Sequence, residues 1–291
     1  MTSGVAGLSG LWHRSMIAWP DGTCDRTTSV RWLQGLSACI DLRQPAALDA
    51  SAMPNAASAP VPGPVPARAA QATTAARAAD DLSIQQCAQL AQQQGFAGRC
   101  DFDGTHFVWT RSIDFQPRSP AADAGSLHWE GNVLLETGRD IGYVEHWHRD
   151  TTAATLPVAA AVLRDANDST AAALLRVGSM FMFARDRALT LAGPQTLGDC
   201  VAGASTLRQA QQLVDCEISF GRALQGGVKI TASTLPWRIG ALLEQRIARS
   251  QLTTLDCATN GSAITRRWEI VDVEGDLAAL AAAELSSACG D

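Results

Sequence analysis

A chain of 291 residues, 46% of them apolar, is long enough to bury a sizeable core in one large domain or two small ones. Its formal net charge of −6 and pI near 5.4 argue against nucleic acid or an anionic membrane as the main partner. Lys229 is the only lysine, a bias that together with the alanine content fits a GC-rich genome better than a function.

The eight cysteines (Cys24, Cys39, Cys87, Cys100, Cys200, Cys216, Cys257 and Cys289) are scattered, with no CxxC and no zinc-type spacing. Free thiols are the plain expectation. The start, MTSGVAGLSGLWHRS, lacks the basic and then apolar pattern of a secretory signal, and no apolar run approaches membrane-spanning length. These features predict a cytoplasmic protein.

Strands come first in chain order. Gly10 to Trp19, Thr27 to Gln34 and Leu36 to Arg43 alternate apolar and polar residues, with turn signals at Pro20-Asp21-Gly22 and Gly35. From 45 to 79 the composition shifts to Ala, Pro, Ser and Thr, which predicts a flexible loop or linker. Asp80-Asp81 offers an N-cap, and Leu82 to Gln94 has helical spacing that Gly95 ends. His106 to Phe115 reads as a strand, and Leu156 to Arg164 and Ala172 to Arg185 as a further pair. Leu197 to Val214 reads as a helix. Glu217 to Leu224, Val228 to Ser233 and Arg266 to Val273 are strand candidates, with Gly226-Gly227 as a hairpin turn. Ile239 to Ser250 fits a short helix or a strand, and Asp276 to Ser287 an alanine-rich helix. The expected architecture is all-β with marginal helices: one antiparallel β-barrel domain of about ten strands over residues 1–291. No GxGxxG follows a strand and no P-loop is present, so a nucleotide-binding α/β fold is not expected.

Ser126 to Asp150 holds three of the five histidines, two of the eight tryptophans and the only tyrosine. It reads as two strands joined at Thr137-Gly138-Arg139-Asp140. Alternation then puts Leu127, Trp129, Val133, Leu135, Val144, His146 and His148 on one face. The other face carries His128, Glu130, Asn132, Leu134, Glu136, Tyr143, Glu145, Trp147 and Arg149. Simple burial turns the first face inward. A ligand barrel turns the second inward, because a pocket needs a few aimed polar groups. Both assignments stand at this point.

Gly10-Leu11-Trp12 at the head of the first strand resembles the G-x-W signature of lipocalins and the wider calycin group. That resemblance implies a tryptophan closing one end of the barrel under an arginine from near the last strand, a role for which Arg266 or Arg267 is placed. GLWHRSMIAWPDGT, SVRWLQG, CIDLRQP, GFAG, FQP, WEGNVLLETG and YVEHW are similar to bacterial relatives of the fungal HRI1-type proteins, over roughly residues 10–45 and 80–150. This second resemblance implies a calycin-like fold and an unassigned ligand pocket.

The chemistry offers three constellations. His146 and His148, with His128 opposite, could chelate a metal from a strand face, but no third ligand set is legible, so no metal is expected. Tyr143 and Glu145 share a face with Glu130, Trp147 and Arg149. A carboxylate beside indoles gains pKa, which suits acid–base work; an exterior strand with Glu–Arg pairs reads equally well. Arg14, Arg43 and Asp41 could anchor a carboxylate or form structural ion pairs.

The reading is therefore a barrel that binds a small, mostly apolar or aromatic molecule, with Trp12, Arg14, Trp32, Arg43, Trp129, Glu130 and Trp147 as ligand-binding residues. The alternative is a cofactor-independent lyase, hydratase or isomerase in the same barrel. There Glu145 or His146 is the base and Tyr143 the acid or oxyanion donor. A third reading makes the Pro/Ala arm a tether for a partner protein or a lid over the barrel mouth. No cofactor is expected, no nucleic acid or membrane partner is expected, and a homodimer is left open.

Overall fold

The computed structural model describes residues 4–49, 76–152, 154–191, 193, 195–224, 227–248 and 251–281. Of the Pro/Ala-rich stretch, residues 50–75 lie outside the described residues, as does the proposed helix beyond residue 281.

Strands dominate, as the alternating patterns predict. The first sheet runs β1 (Gly10–Ala18), β2 (Cys24–Asp25), β3 (Ser29–Gln34), β4 (Ala38–Gln44), β5 (Gln94–Phe102), β6 (Phe107–Asp114), β7 (Asp123–Glu130), β8 (Val133–Gly138) and β9 (Val144–Arg149). A four-residue helix, α1 (Ala46–Asp49), and a capped helix, α2 (Ile84–Leu90), fall between β4 and β5. Ser83, not Asp80 or Asp81, caps α2: its hydroxyl accepts from the Gln86 N–H, and the Gln86 side chain accepts from the Ser83 N–H.

The second sheet runs β10 (Val158–Asp165), β11 (Ala171–Val177), β12 (Met180–Arg185), β13 (Glu217–Leu224), β14 (Gly227–Ser233), β15 (Leu242–Leu243), β16 (Gln245–Ala248), β17 (Gln251–Cys257) and β18 (Ala263–Gly275). Helices α3 (Leu197–Ala202) and α4 (Leu207–Val214) divide the single helix expected over 197–214. The break follows from capping, because the Thr206 side chain accepts from the Gln209 N–H and starts a new helix.

All pairings are antiparallel, and the all-β reading holds. The strand count does not stop at about ten: eighteen strands lie among the described residues, in two barrel-like sheets. In the first, β9 returns to pair with β1, so β1 and β3–β9 close on themselves. Closure removes the exposed edges. In the second, the edge strands β15 and β16 are separated only by Glu244, so one bent segment pairs with β14 on one side and β17 on the other. The Glu244 carbonyl accepts from the Leu255 N–H across that junction.

Each barrel has its own interior. Register partners in the first put Trp12, Trp32, Phe96, Trp109, Leu134 and Trp147 in one inner cluster. The second encloses Leu163, Leu174, Phe181, Phe183, Leu252 and Trp268. A third cluster joins the barrels: outer-face residues Leu33, Ile40 and Ile113 of the first meet Leu175, Met182 and Ile218 of the second, with α2, α3 and α4 packed alongside. The Glu274 carboxylate of β18 fixes this join. It accepts from the backbone N–H groups of Leu36, Ser37 and Ala38 at 2.6–2.8 Å and from the Ser37 hydroxyl at 2.7 Å, all in the β3–β4 turn.

Trp12 does close one end of the first barrel, fully buried, with its indole N–H donating to the Leu8 carbonyl at 2.7 Å. Its arginine is Arg149, not Arg266 or Arg267. The Arg149 guanidinium lies 4.7 Å from the centre of the Trp12 ring, and the two residues are register partners across the β1–β9 seam. Arg266 belongs to the second barrel, where it pairs with Asp256 at 2.7 Å and Asp165 at 3.3 Å. The physical reason is that the chain closes its first barrel at residue 149, well before β18 begins.

Two outcomes follow for stability. Trp12→Ala should cost about 3–5 kcal/mol in denaturant unfolding, and Arg149→Ala about 1 kcal/mol. Glu274→Ala strands three backbone donors of the β3–β4 turn and should cost about 1–3 kcal/mol, with Glu274→Gln intermediate, in the same measurement.

Candidate functional site

The strand reading of Ser126 to Asp150 needs one correction. Three strands lie there, not two, because Gly131-Asn132 makes a tight turn between Glu130 and Val133, with Gly131 at φ 61°. That turn re-sorts the faces. Trp129, Leu134 and Trp147 are register partners, as are Leu127, Glu136 and Glu145, and all six point inward. His128, Leu135 and His146 share the outer face.

The expected site residues separate accordingly. Trp12, Trp32 and Trp147 are buried against each other, with ring centroids 5.7 Å apart for Trp12–Trp32 and 5.3 Å for Trp32–Trp147. Trp129 stands at the same end, 49% exposed, tilted against Trp12 at 5.8 Å. Glu130 is on the outer face at the turn, 3.6 Å from His128. His146 is not brought together with Glu145 and Tyr143. His148, also outside, contacts the Ser15 hydroxyl at 2.9 Å. Leu135 lies between His128 and His146 in the register, and among the described residues no group of three or more His, Cys, Asp or Glu side chains is placed to hold a metal.

The polar side chains gather at the opposite end of the interior. Arg14 donates to Glu145 at 2.5 Å and lies 3.6 Å from Asp25. Arg43 pairs with Asp41 at 2.7 Å and reaches Glu145 at 3.5 Å. Glu145 is thus held between two guanidiniums. A β-bulge at Ser15 keeps Arg14 inward and turns Met16 outward.

Glu136, which the sequence reading grouped with Tyr143, Glu145 and Trp147 but did not single out, is the central group. It is 4% exposed and directly opposite Glu145 in the register. Its Oε1 is 2.8 Å from the Tyr143 hydroxyl, and its Oε2 accepts from the Trp147 indole N–H at 3.0 Å. Burial, then the charges of Glu145 and Asp123, push its pKa up to about 8. The inward carboxylates Asp41, Asp114, Asp123, Glu136 and Glu145 outnumber the inward guanidiniums of Arg14, Arg43 and Arg111, with Arg118 reaching Asp114 at 3.1 Å from the loop. A neutral Glu136 reduces that excess of negative charge. Burial and the neighbouring Glu136 raise the Tyr143 pKa, so its phenol keeps its proton.

Above this network the barrel opens. A recess of about 310 Å³ is lined by Trp109, Arg111, Arg118, Asp123, Ile141 and Tyr143, among others. Arg111 is fixed by Asp123 at 2.5 Å and Asp114 at 3.3 Å, and its guanidinium lies 4.1 Å from the Phe96 ring centre. Sequence reasoning missed Trp109, Arg111, Asp123 and Glu136. The alternation Trp109-x-Arg111 repeats that of Trp12-x-Arg14 and was the available signal for the first two.

No family model and no curated protein matches the chain. Among solved structures, the crystal structure of uncharacterized protein YLR301w from Saccharomyces cerevisiae is similar, with a TM-score of 0.47 and 10% identity, covering 91% of this chain and 98% of that one. A likeness at that level assigns neither a family nor a function.

The Glu136 proton makes stability pH-dependent. A carboxyl whose folded pKa lies above its unfolded value binds more protons in the folded state between the two. Stability should therefore fall as pH rises from about 4.3 to about 8. Glu136→Gln should flatten that part of the profile, read as denaturation midpoints at several pH values.

Proposed function

We propose that the first barrel binds a small molecule with an apolar or aromatic body in the recess at its polar end. The supporting observation is the recess itself: an indole floor at Trp109, a phenol wall at Tyr143 and fixed charges at Arg111 and Asp123. A mostly apolar lining with a few aimed polar groups is how small-molecule sites are built. Of the residues expected to bind ligand, the mutually packed Trp12, Trp32 and Trp147 act here as packing, and Arg14 and Arg43 act through Glu145. Neither a nucleic-acid nor a membrane partner enters this reading. Among the described residues no helix is long and apolar enough to cross a membrane. The seven described cysteines are free thiols, which suits a reducing, cytoplasmic setting.

A second reading, acid–base catalysis without a cofactor, draws on one observation: a carboxyl raised to about 8 in contact with a phenol that lines the recess. When Glu136 is protonated, its O–H donates to the Tyr143 oxygen, freeing the phenol proton to point into the recess. Glu136, not His146, is then the proton store, and Glu145 balances charge. Turnover by this route would show a pH–rate inflection near 8 that Glu136→Gln and Tyr143→Phe both remove.

Binding is tested by titrating small neutral nitroaromatic probes against tryptophan fluorescence. Saturable quenching is expected, weakened about tenfold by Ala122→Trp, which places a large ring in the exposed rim of the recess. Quenching that never saturates, or that ignores Ala122→Trp, would refute a ligand site there.

A further inference from the structure

The packing between the two barrels also opens. Outer-face residues of β4, β5 and β6 face those of β10, β11 and β18 across a cleft of about 340 Å³. Ala38 and Ile40 form one wall, and Ala160, Val162, Ala173 and Leu175 the other. That volume is within the range of small-molecule sites. It is also separate from the barrel-end recess, with no lining residue in common.

The charges at this cleft are already committed to one another. Arg99 and Asp272, at the rim, form an ion pair. Glu274 is held by its four donors in the β3–β4 turn. The Ser112 hydroxyl donates to the Ala97 carbonyl at 3.1 Å. Among the described residues, the hydroxyl of Thr110, an exposed residue of the lining, makes no hydrogen bond and is free to pair with a neutral ligand group. Val271 and Val273 extend the apolar surface outward, 52% and 38% exposed.

We propose that this cleft is a second binding site, for a small neutral molecule with an apolar body and at most one hydroxyl-type head. Filling it restores dispersion contacts that the facing sheets do not make across the gap, as for other apolar cavities. A charged head is disfavoured, because it loses water and finds every opposite charge taken. A neutral hydroxyl can pair with Thr110. Because the site spans both barrels, its occupant ties them together, and occupancy stabilises the join that Glu274 also holds.

The test uses the full chain with labelled Ala, Ile, Leu and Val methyl groups. It is titrated with 1-octanol, octanoate and octylamine, which share a chain and differ in head charge. The expected result is saturable methyl shifts at Ile40, Val162, Ala173 and Leu175 with 1-octanol, and about tenfold or greater weakening for both charged heads. Ala173→Leu, which projects a larger side chain into the gap, should weaken 1-octanol by a similar factor of about ten. The wild-type methyl map decides the matter even if that variant fails to fold. Saturable shifts at Ala124 and Ile141 of the recess instead, equal binding of all three heads, or no saturable shift at all would overturn the proposal. The cleft is read at Ile40, Val162, Ala173 and Leu175 and the recess at Ala124 and Ile141, with no lining residue shared, so failure at one site is told apart from failure at the other.

Discussion

The first barrel depends on the antiparallel ladder between β1 and β9. Six register pairs, from Trp12 with Arg149 to Ala18 with Val144, turn an open meander into a closed wall. Closure does two things at once. It lays the Arg149 guanidinium over the Trp12 ring at one end, and it brings Arg14 within reach of Glu145 at the other. Without that seam Glu145 would face solvent at a sheet edge. With it, Glu145 is a buried carboxylate that needs the two arginines it has.

Division of the interior into an aromatic end and a charged end follows from the same geometry. Inward residues two apart on a strand sit at successive heights, so Trp12-x-Arg14, Trp109-x-Arg111 and Glu145-x-Trp147 each place an indole near a charge. The indoles pack on one another at 5.3–6.0 Å and leave little room for a ligand among them. Space remains only above the charges, where Trp109 and Tyr143 wall the recess. Opposed carboxylates at Glu136 and Glu145 would repel if both were ionised. The guanidiniums go to Glu145, while among the described residues Glu136 accepts only from the Tyr143 hydroxyl and the Trp147 indole N–H, and burial with the facing Glu145 pushes its pKa up to about 8.

The second barrel repeats the theme with different residues. Phe183 and Trp268 meet edge to face at 6.0 Å, and Arg185, Arg238 and Arg266 pair with Asp215, Glu217 and Asp256 nearby. The two barrels then press outer faces together. They do so imperfectly, because small side chains such as Ala38, Ala160 and Ala173 meet where Leu, Ile and Met meet elsewhere. Glu274 and the Arg99–Asp272 pair both bridge the join from β18.

Period-two alternation by itself determined the all-β class, most of the strands, and that Trp12 shares a face with Arg14 and Asp41 with Arg43, because relative side-chain direction along a strand is a local property. It could not decide which strand closes on which. The covering arginine was sought near the last strand of the whole chain, whereas the barrel ends at Arg149. Nor did it resolve the Gly131-Asn132 turn, and a missed two-residue turn misplaces every side chain on one arm, which is why Trp129 was grouped with His146. The Glu136 proton lay further out of reach still. It depends on burial and on Glu145 and Asp123 converging from other strands, and such desolvation exists only once the sheet has closed.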